Sequence, residues 1–102
     1  MAAIVLTTEN FEKEVLQSTV PVLIDFWAAW CGPCRMLSPL VEEIAQETTQ
    51  FKVCKVDVDD QMALAERHNV MSIPTLVVYK DGTEVNRSLG YISKDEIYQL
   101  MK

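Results

Sequence analysis

Residues 20–34 read VPVLIDFWAAWCGPC, and the fold turns on this stretch. Over residues 20–27 the side chains are apolar on both alternating faces apart from one carboxylate, Asp25. A strand of that composition is covered by helices on both sides and lies centrally in a sheet. It leads into Trp30-Cys31-Gly32-Pro33-Cys34. From Cys34 onward Met36, Leu37, Leu40, Val41, Ile44 and Ala45 mark one stripe of a helix ending near Glu47. Pro39 lies inside that stripe, where its ring meets the carbonyl of Arg35 and predicts a kink rather than an end. Two thiols therefore stand three residues apart where a buried strand gives way to a helix.

Working outward, Ile4-Val5-Leu6 is a short strand, and Phe11, Val15 and Leu16 recur at helical spacing with Thr8 as the N-cap. Residues 51–58 form a second β-rich run, and Asp59-Asp60 cap a helix over 61–68. Residues 75–80 and 84–89 flank Asp81-Gly82, the signature of a hairpin, so these strands are antiparallel. Ser93 with Glu96 three residues later is a capping-box pattern that opens a last helix through Ile97, Leu100 and Met101. Strands alternating with helices, closed by a hairpin and a helix, predict a three-layer α/β fold: a central mixed sheet with helices on both faces.

The chain has 102 residues, which suits a single domain spanning 1–102. The formal net charge is -6, and the nine basic residues are spread singly, so no basic stripe is available for nucleic acid. The N-terminus has no basic region followed by a long apolar run, and no segment approaches a membrane span, so neither targeting nor membrane insertion is expected. Three cysteines are too few for a disulfide framework. They fit a reducing compartment, cytoplasm or plastid stroma, with one functional pair and one spare.

At i and i+3 on a first helical turn two thiols share a face, so a disulfide between them closes and opens with little backbone movement. Pro33 needs no intrahelical N–H there and stiffens the turn. A free thiol has a pKa of about 8.5, so little is thiolate at pH 7 unless the anion is favoured. The helix N-terminus favours it through unpaired N–H groups and the dipole. Cys31 is thus the attacking thiol and Cys34, further into the helix, the resolving one, with exchange passing through a mixed disulfide on Cys31. The competing reading is half of a structural zinc site completed by Cys54 or the lone His68; with no second C-x-x-C, redox chemistry is the better account and no metal is expected. Asp25, in an otherwise apolar strand, pays desolvation and has a raised pKa.

The segment from Phe26 to Cys34 resembles the active site of the thioredoxin family. Asp25, Pro39, Val56-Asp57-Val58-Asp59, Ile73-Pro74-Thr75, Lys80-Asp81-Gly82 and Gly90 follow in family order and spacing. The resemblance implies a thioredoxin-like fold and a protein-disulfide reductase. It implies that Asp25 accepts a proton from Cys34 through water, with Lys55 modulating its charge; the competing reading is a structural Asp neutralised by Lys55. It implies a cis-proline at Pro74, backbone pairing of Ile73 with an extended substrate segment, and an apolar contact surface of Trp30, Ile73, Pro74 and Gly90, to which Gly32 and Pro33 between the cysteines add. The expected partners are disulfide-containing proteins and a thioredoxin reductase, and a monomer is expected. With three glycines and no G-x-G-x-x-G the chain binds no dinucleotide cofactor of its own. The reductase is therefore separate, and the resemblance makes it NADPH- or ferredoxin-dependent. Met71-Ser72, Tyr91 and Arg35 depart from the commonest family residues, which bears on partner preference.

Two rivals remain, an oxidase or isomerase of the same fold and a redox-silent docking module built around Trp30. Trp27 is expected to pack against the active-site loop, Cys54 to be a small buried hydrophobe, and His68 to be a solvated helix end.

Overall fold

The computed structural model describes residues 2–102. Five strands form one mixed sheet in the order β1-β3-β2-β4-β5, with β1 at Ile4–Val5, β2 at Val22–Trp27, β3 at Lys52–Asp57, β4 at Thr75–Lys80 and β5 at Thr83–Leu89. β1, β3 and β2 are mutually parallel, and β4 runs antiparallel to both β2 and β5. The helices are α1 at Gly32–Glu47, α2 at Met62–Arg67 and α3 at Lys94–Leu100. None is long and apolar enough to cross a membrane among the described residues.

Alternation along β2 assigns its two faces. Leu23 joins a core with Leu37, Val41 and Ile44 of α1 and Ile97 of α3. Ile24 and Phe26 point the other way, into a core with Phe11, Val15 and Leu64. Both sides of β2 are thus dry, which is why its sequence is apolar at successive positions. This is the three-layer arrangement expected.

Local chemistry sets the element ends. Pro21 has no N–H for a ladder, and the strand begins at Val22 instead of Val20. The Asp81-Gly82 turn has φ of 52° and 78°, the left-handed pair that a two-residue hairpin needs. Ser93 and Glu96 form the reciprocal capping box at α3. The long helix passes through Pro39 to Glu47 but starts at Gly32, earlier than the apolar stripe indicates, with Pro33 in its first turn.

Three expectations need correction. The first helix is a π-helical turn at Glu12–Leu16, closed by Gln17 N–H donating to the Glu12 carbonyl at 2.9 Å. Its entry is fixed by Thr7 and Asn10, whose side chains each accept from the other's backbone N–H, while the Thr8 N–H donates to Gln61 Oε1. Thr7 takes the donors that Thr8 was expected to satisfy, the Asn10 N–H with its hydroxyl and the Phe11 N–H with its carbonyl. Asp59 and Asp60 do not cap α2: its N-cap position is Gln61, with no side-chain cap, and Asp57 Oδ1 draws the Asp59 and Asp60 N–H groups into a turn at the end of β3. His68 is not solvated: it is 4% exposed, with one ring nitrogen 2.8 Å from the Leu64 carbonyl and the other 2.7 Å from the Tyr79 hydroxyl. Phe11, Phe26 and Tyr79 surround its ring.

Candidate active site

Cys31 is the N-cap of α1, with extended backbone, and its sulfur accepts from the Cys34 N–H at 3.2 Å. Cys31 and Cys34 are joined as a disulfide with Cα atoms 5.2 Å apart, inside the range that a bridge requires without moving the backbone. Both cysteines are buried, Cys31 at 5% exposure and Cys34 at 2%. Ala28, Trp27, Val58 and Ile73 pack around them, so Trp27 lies against the active-site loop as expected. An N-cap sulfur aimed at a first-turn N–H is the local reason that an anion is favoured at this position.

The loop that precedes β4 comes up beside the pair. Cys31 Sγ lies 3.7 Å from the Ile73 carbonyl oxygen. The Ile73-Pro74 peptide is cis. The Thr75 hydroxyl donates to the Ser72 carbonyl at 2.7 Å, and the Gly90 N–H donates to the Pro74 carbonyl at 2.8 Å, which ties the loop to the end of β5. Gly90 has φ of 87°, a backbone conformation that disfavours a side chain. A Cβ added at Gly32 would meet nothing, so no contact within the chain demands glycine there.

Trp30 stands out at 67% exposure, and its indole N–H donates to Asp59 Oδ2 at 2.8 Å. With Val58, Val70, Met71, Ser72 and Ile73 it lines a groove of about 330 Å³. Met71 is 92% exposed on that rim. Asp59, Val58 and Val70 were not singled out as site residues in the sequence. Asp59 does lie in the Val56-Asp57-Val58-Asp59 run that carries the family resemblance, but its bond to Trp30 spans two loops that only the fold brings together.

Asp25 is 3% exposed, on the same side of β2 as Leu23 and therefore facing α1, the helix that the cysteines begin. Its Oδ1 is buried with no hydrogen-bond partner. Burial pushes its pKa up to about 7; Lys55 opposes this and Glu42 adds to it. Lys55 is the register neighbour of Asp25 on β3, yet its ion pair is with Glu42. Glu42 is a residue that the sequence did not announce. Cys54 is fully buried beside Ile4 and Ile24 in register, and burial pushes its thiol up to about 12, which makes it inert. Cys54 and His68 both belong to the side of the sheet away from α1, and the two His68 ring nitrogens are engaged with Leu64 and Tyr79.

A bridged C-x-x-C at the N-terminus of a helix, between a buried strand and an open groove, defines a thiol-disulfide oxidoreductase. The model of the family described as Thioredoxin matches residues 2–102. Thioredoxin 1 of Synechococcus elongatus is 48% identical over 93 residues, covering 90% of this chain and 87% of that protein. Thioredoxin of Mycobacterium tuberculosis is 50% identical over 90 residues (87% and 78%), and that of Chlamydia trachomatis 45% over 97 residues (95% and 93%). The chain belongs to the thioredoxin family, and it catalyses dithiol/disulfide exchange through Cys31 and Cys34 with disulfide-bearing substrates and a reductase as its partners.

Proposed function

We propose that this chain is a monomeric, single-domain electron carrier that reduces disulfides in proteins of the cytoplasm, or of a plastid stroma, and is recharged by an NADPH- or ferredoxin-dependent thioredoxin reductase. The observation that carries the reading is the asymmetry of the pair: Cys31 caps the helix and lies beside Ile73 at the groove, whereas Cys34 is inside the first turn. The Cys31 thiolate attacks a substrate sulfur, forms a mixed disulfide and releases the first substrate thiolate, which takes a proton. Cys34 then gives its proton to Asp25 and attacks Cys31 Sγ. That second attack expels the other substrate sulfur as a thiolate, which takes a proton from water while Asp25 returns its own to solvent, and leaves the Cys31–Cys34 disulfide, so two electrons have passed to the substrate.

Asp25 suits this step because it is a buried base, able to hold or release a proton near neutrality. Trp30, Gly32, Pro33, Ile73, Pro74 and Gly90 meet the substrate segment, with backbone pairing at Ile73 giving tolerance of sequence. Met71 adds an apolar rim where a charge would restrict the clientele. Insulin-disulfide reduction tests the reading. Wild type should reduce the interchain bridges catalytically and Cys31→Ser should fall to the uncatalysed rate; retention of activity by Cys31→Ser would refute it.

A further inference from the structure

β2 and β3 run parallel with Asp25 opposite Lys55, which sets a cation beside a buried carboxyl. Among the described residues no ion pair joins the two. Lys55 Nζ instead donates to Glu42 Oε2 at 3.3 Å. Glu42 is itself held by a second contact, the Ala3 N–H donating to Oε1 at 2.9 Å. One carboxylate thus clamps α1 to the chain just before β1 and to β3, and in doing so it occupies the ammonium nearest Asp25. Asp25 Oδ1 is left buried and without a partner.

We propose that Glu42 is a positioning residue for proton transfer at Asp25, holding the Lys55 ammonium in an ion pair of its own and away from the buried carboxyl. The inference rests on Asp25 serving as the proton acceptor for Cys34. The charged groups around Asp25 are Lys55 from β3 and Glu42 from α1, while Leu76, its register partner on β4, carries no charge. A carboxylate paired directly with a lysine is a weak base, because an opposite charge within hydrogen-bond reach favours the ionised form. Such a group would stay ionised through the pH range in which Cys34 must lose its proton. With Lys55 engaged by Glu42, desolvation prevails and the Asp25 carboxyl can take up a proton near neutrality. Glu42 stays ionised meanwhile, since the Ala3 N–H holds its carboxyl below the ordinary range.

The test is the titration midpoint of the Asp25 carboxyl carbon, read by 13C NMR in the disulfide form, where Cys34 has no proton to exchange. Four proteins are compared: wild type, Glu42→Gln, Lys55→Met and the double variant. Glutamine keeps an oxygen for the Ala3 N–H and removes the charge that engages Lys55. Glu42→Gln should lower the midpoint by about one pH unit, a tenfold loss of proton affinity, and move the pH-rate profile of insulin reduction with it. In the Lys55→Met background the same substitution should shift the midpoint by less than half as much, because there is no ammonium left to release. Lys55→Gln supplies the background if the methionine variant does not fold. Equal shifts in both backgrounds mean direct repulsion by Glu42 and overturn the positioning role, as does the absence of any shift. An Asp25→Asn enzyme with the wild-type pH-rate profile would instead overturn Asp25 as proton acceptor, and the positioning role with it, whatever the carboxyl midpoints.

Discussion

A carboxyl that burial pushes from 3.8 up to about 7 leaves a mark on stability as well as on chemistry. Between those two values the unfolded chain has released the Asp25 proton and the folded chain has not, so stability falls as pH rises through the window. Below pH 3.8 the penalty is absent, and above about 7 it is complete. At roughly 1.4 kcal/mol per pH unit it amounts to something on the order of 4 kcal/mol. Asp25→Asn should therefore raise the denaturant midpoint at pH 7.5, with the gain shrinking toward zero at pH 4, while insulin reduction slows. Coincident midpoints for variant and wild type at pH 7.5 would mean that Asp25 is not desolvated. Asp25 was legible in the sequence because one anion interrupts a strand that is otherwise apolar on both faces. Glu42 was not, because an acidic residue beside an apolar helix stripe looks like any solvated position until β3 brings Lys55 to it.

Among the three α-helices, α2 is the shortest, and side chains near its C-terminus hold it to the sheet. His68 reaches back to the Leu64 carbonyl and across to the Tyr79 hydroxyl on β4, and its own carbonyl accepts from Arg87 on β5 at 2.7 Å. Burial lowers the His68 pKa below 6.5. The unfolded chain then binds a proton that the folded chain refuses, so this contribution is whole above pH 6.5 and is lost as pH falls below it. His68→Phe removes that dependence while leaving the Tyr79 hydroxyl without its partner. The stability difference between wild type and variant, measured by urea unfolding, should narrow from pH 7.5 to pH 5; a constant difference would show that His68 is not held neutral. The hairpin and the last helix could be read from the chain because Asp81-Gly82 and Ser93 with Glu96 satisfy their own backbones locally. The starts of the π-helical turn and of α2 could not, since Thr7 takes the N–H groups that Thr8 was expected to cap, and α2 is entered from Gln61, beyond the Asp59-Asp60 pair. A single histidine among polar neighbours likewise gave no sign of the aromatic ring that tertiary packing builds around it.

For the molecule as a whole, the alternation of strands and helices made a mixed sheet with two helical layers readable, because the doubly apolar β2 demands cover on both sides. The order β1-β3-β2-β4-β5 is a matter of crossover geometry, and the groove beside Trp30 depends on it, since the loops after β3 and before β4 meet only there. On the proposed reading, that assembly offers a substrate one sulfur to bond with and keeps the other in reserve. Trapping in a cell lysate measures this division directly. Cys34→Ser should accumulate stable mixed disulfides on Cys31, visible as slow-migrating species on non-reducing gels and released by dithiothreitol, while Cys31→Ser should accumulate almost none. Equal trapping by the two variants, or trapping by Cys31→Ser alone, would contradict the assignment of Cys31 as the attacking thiol.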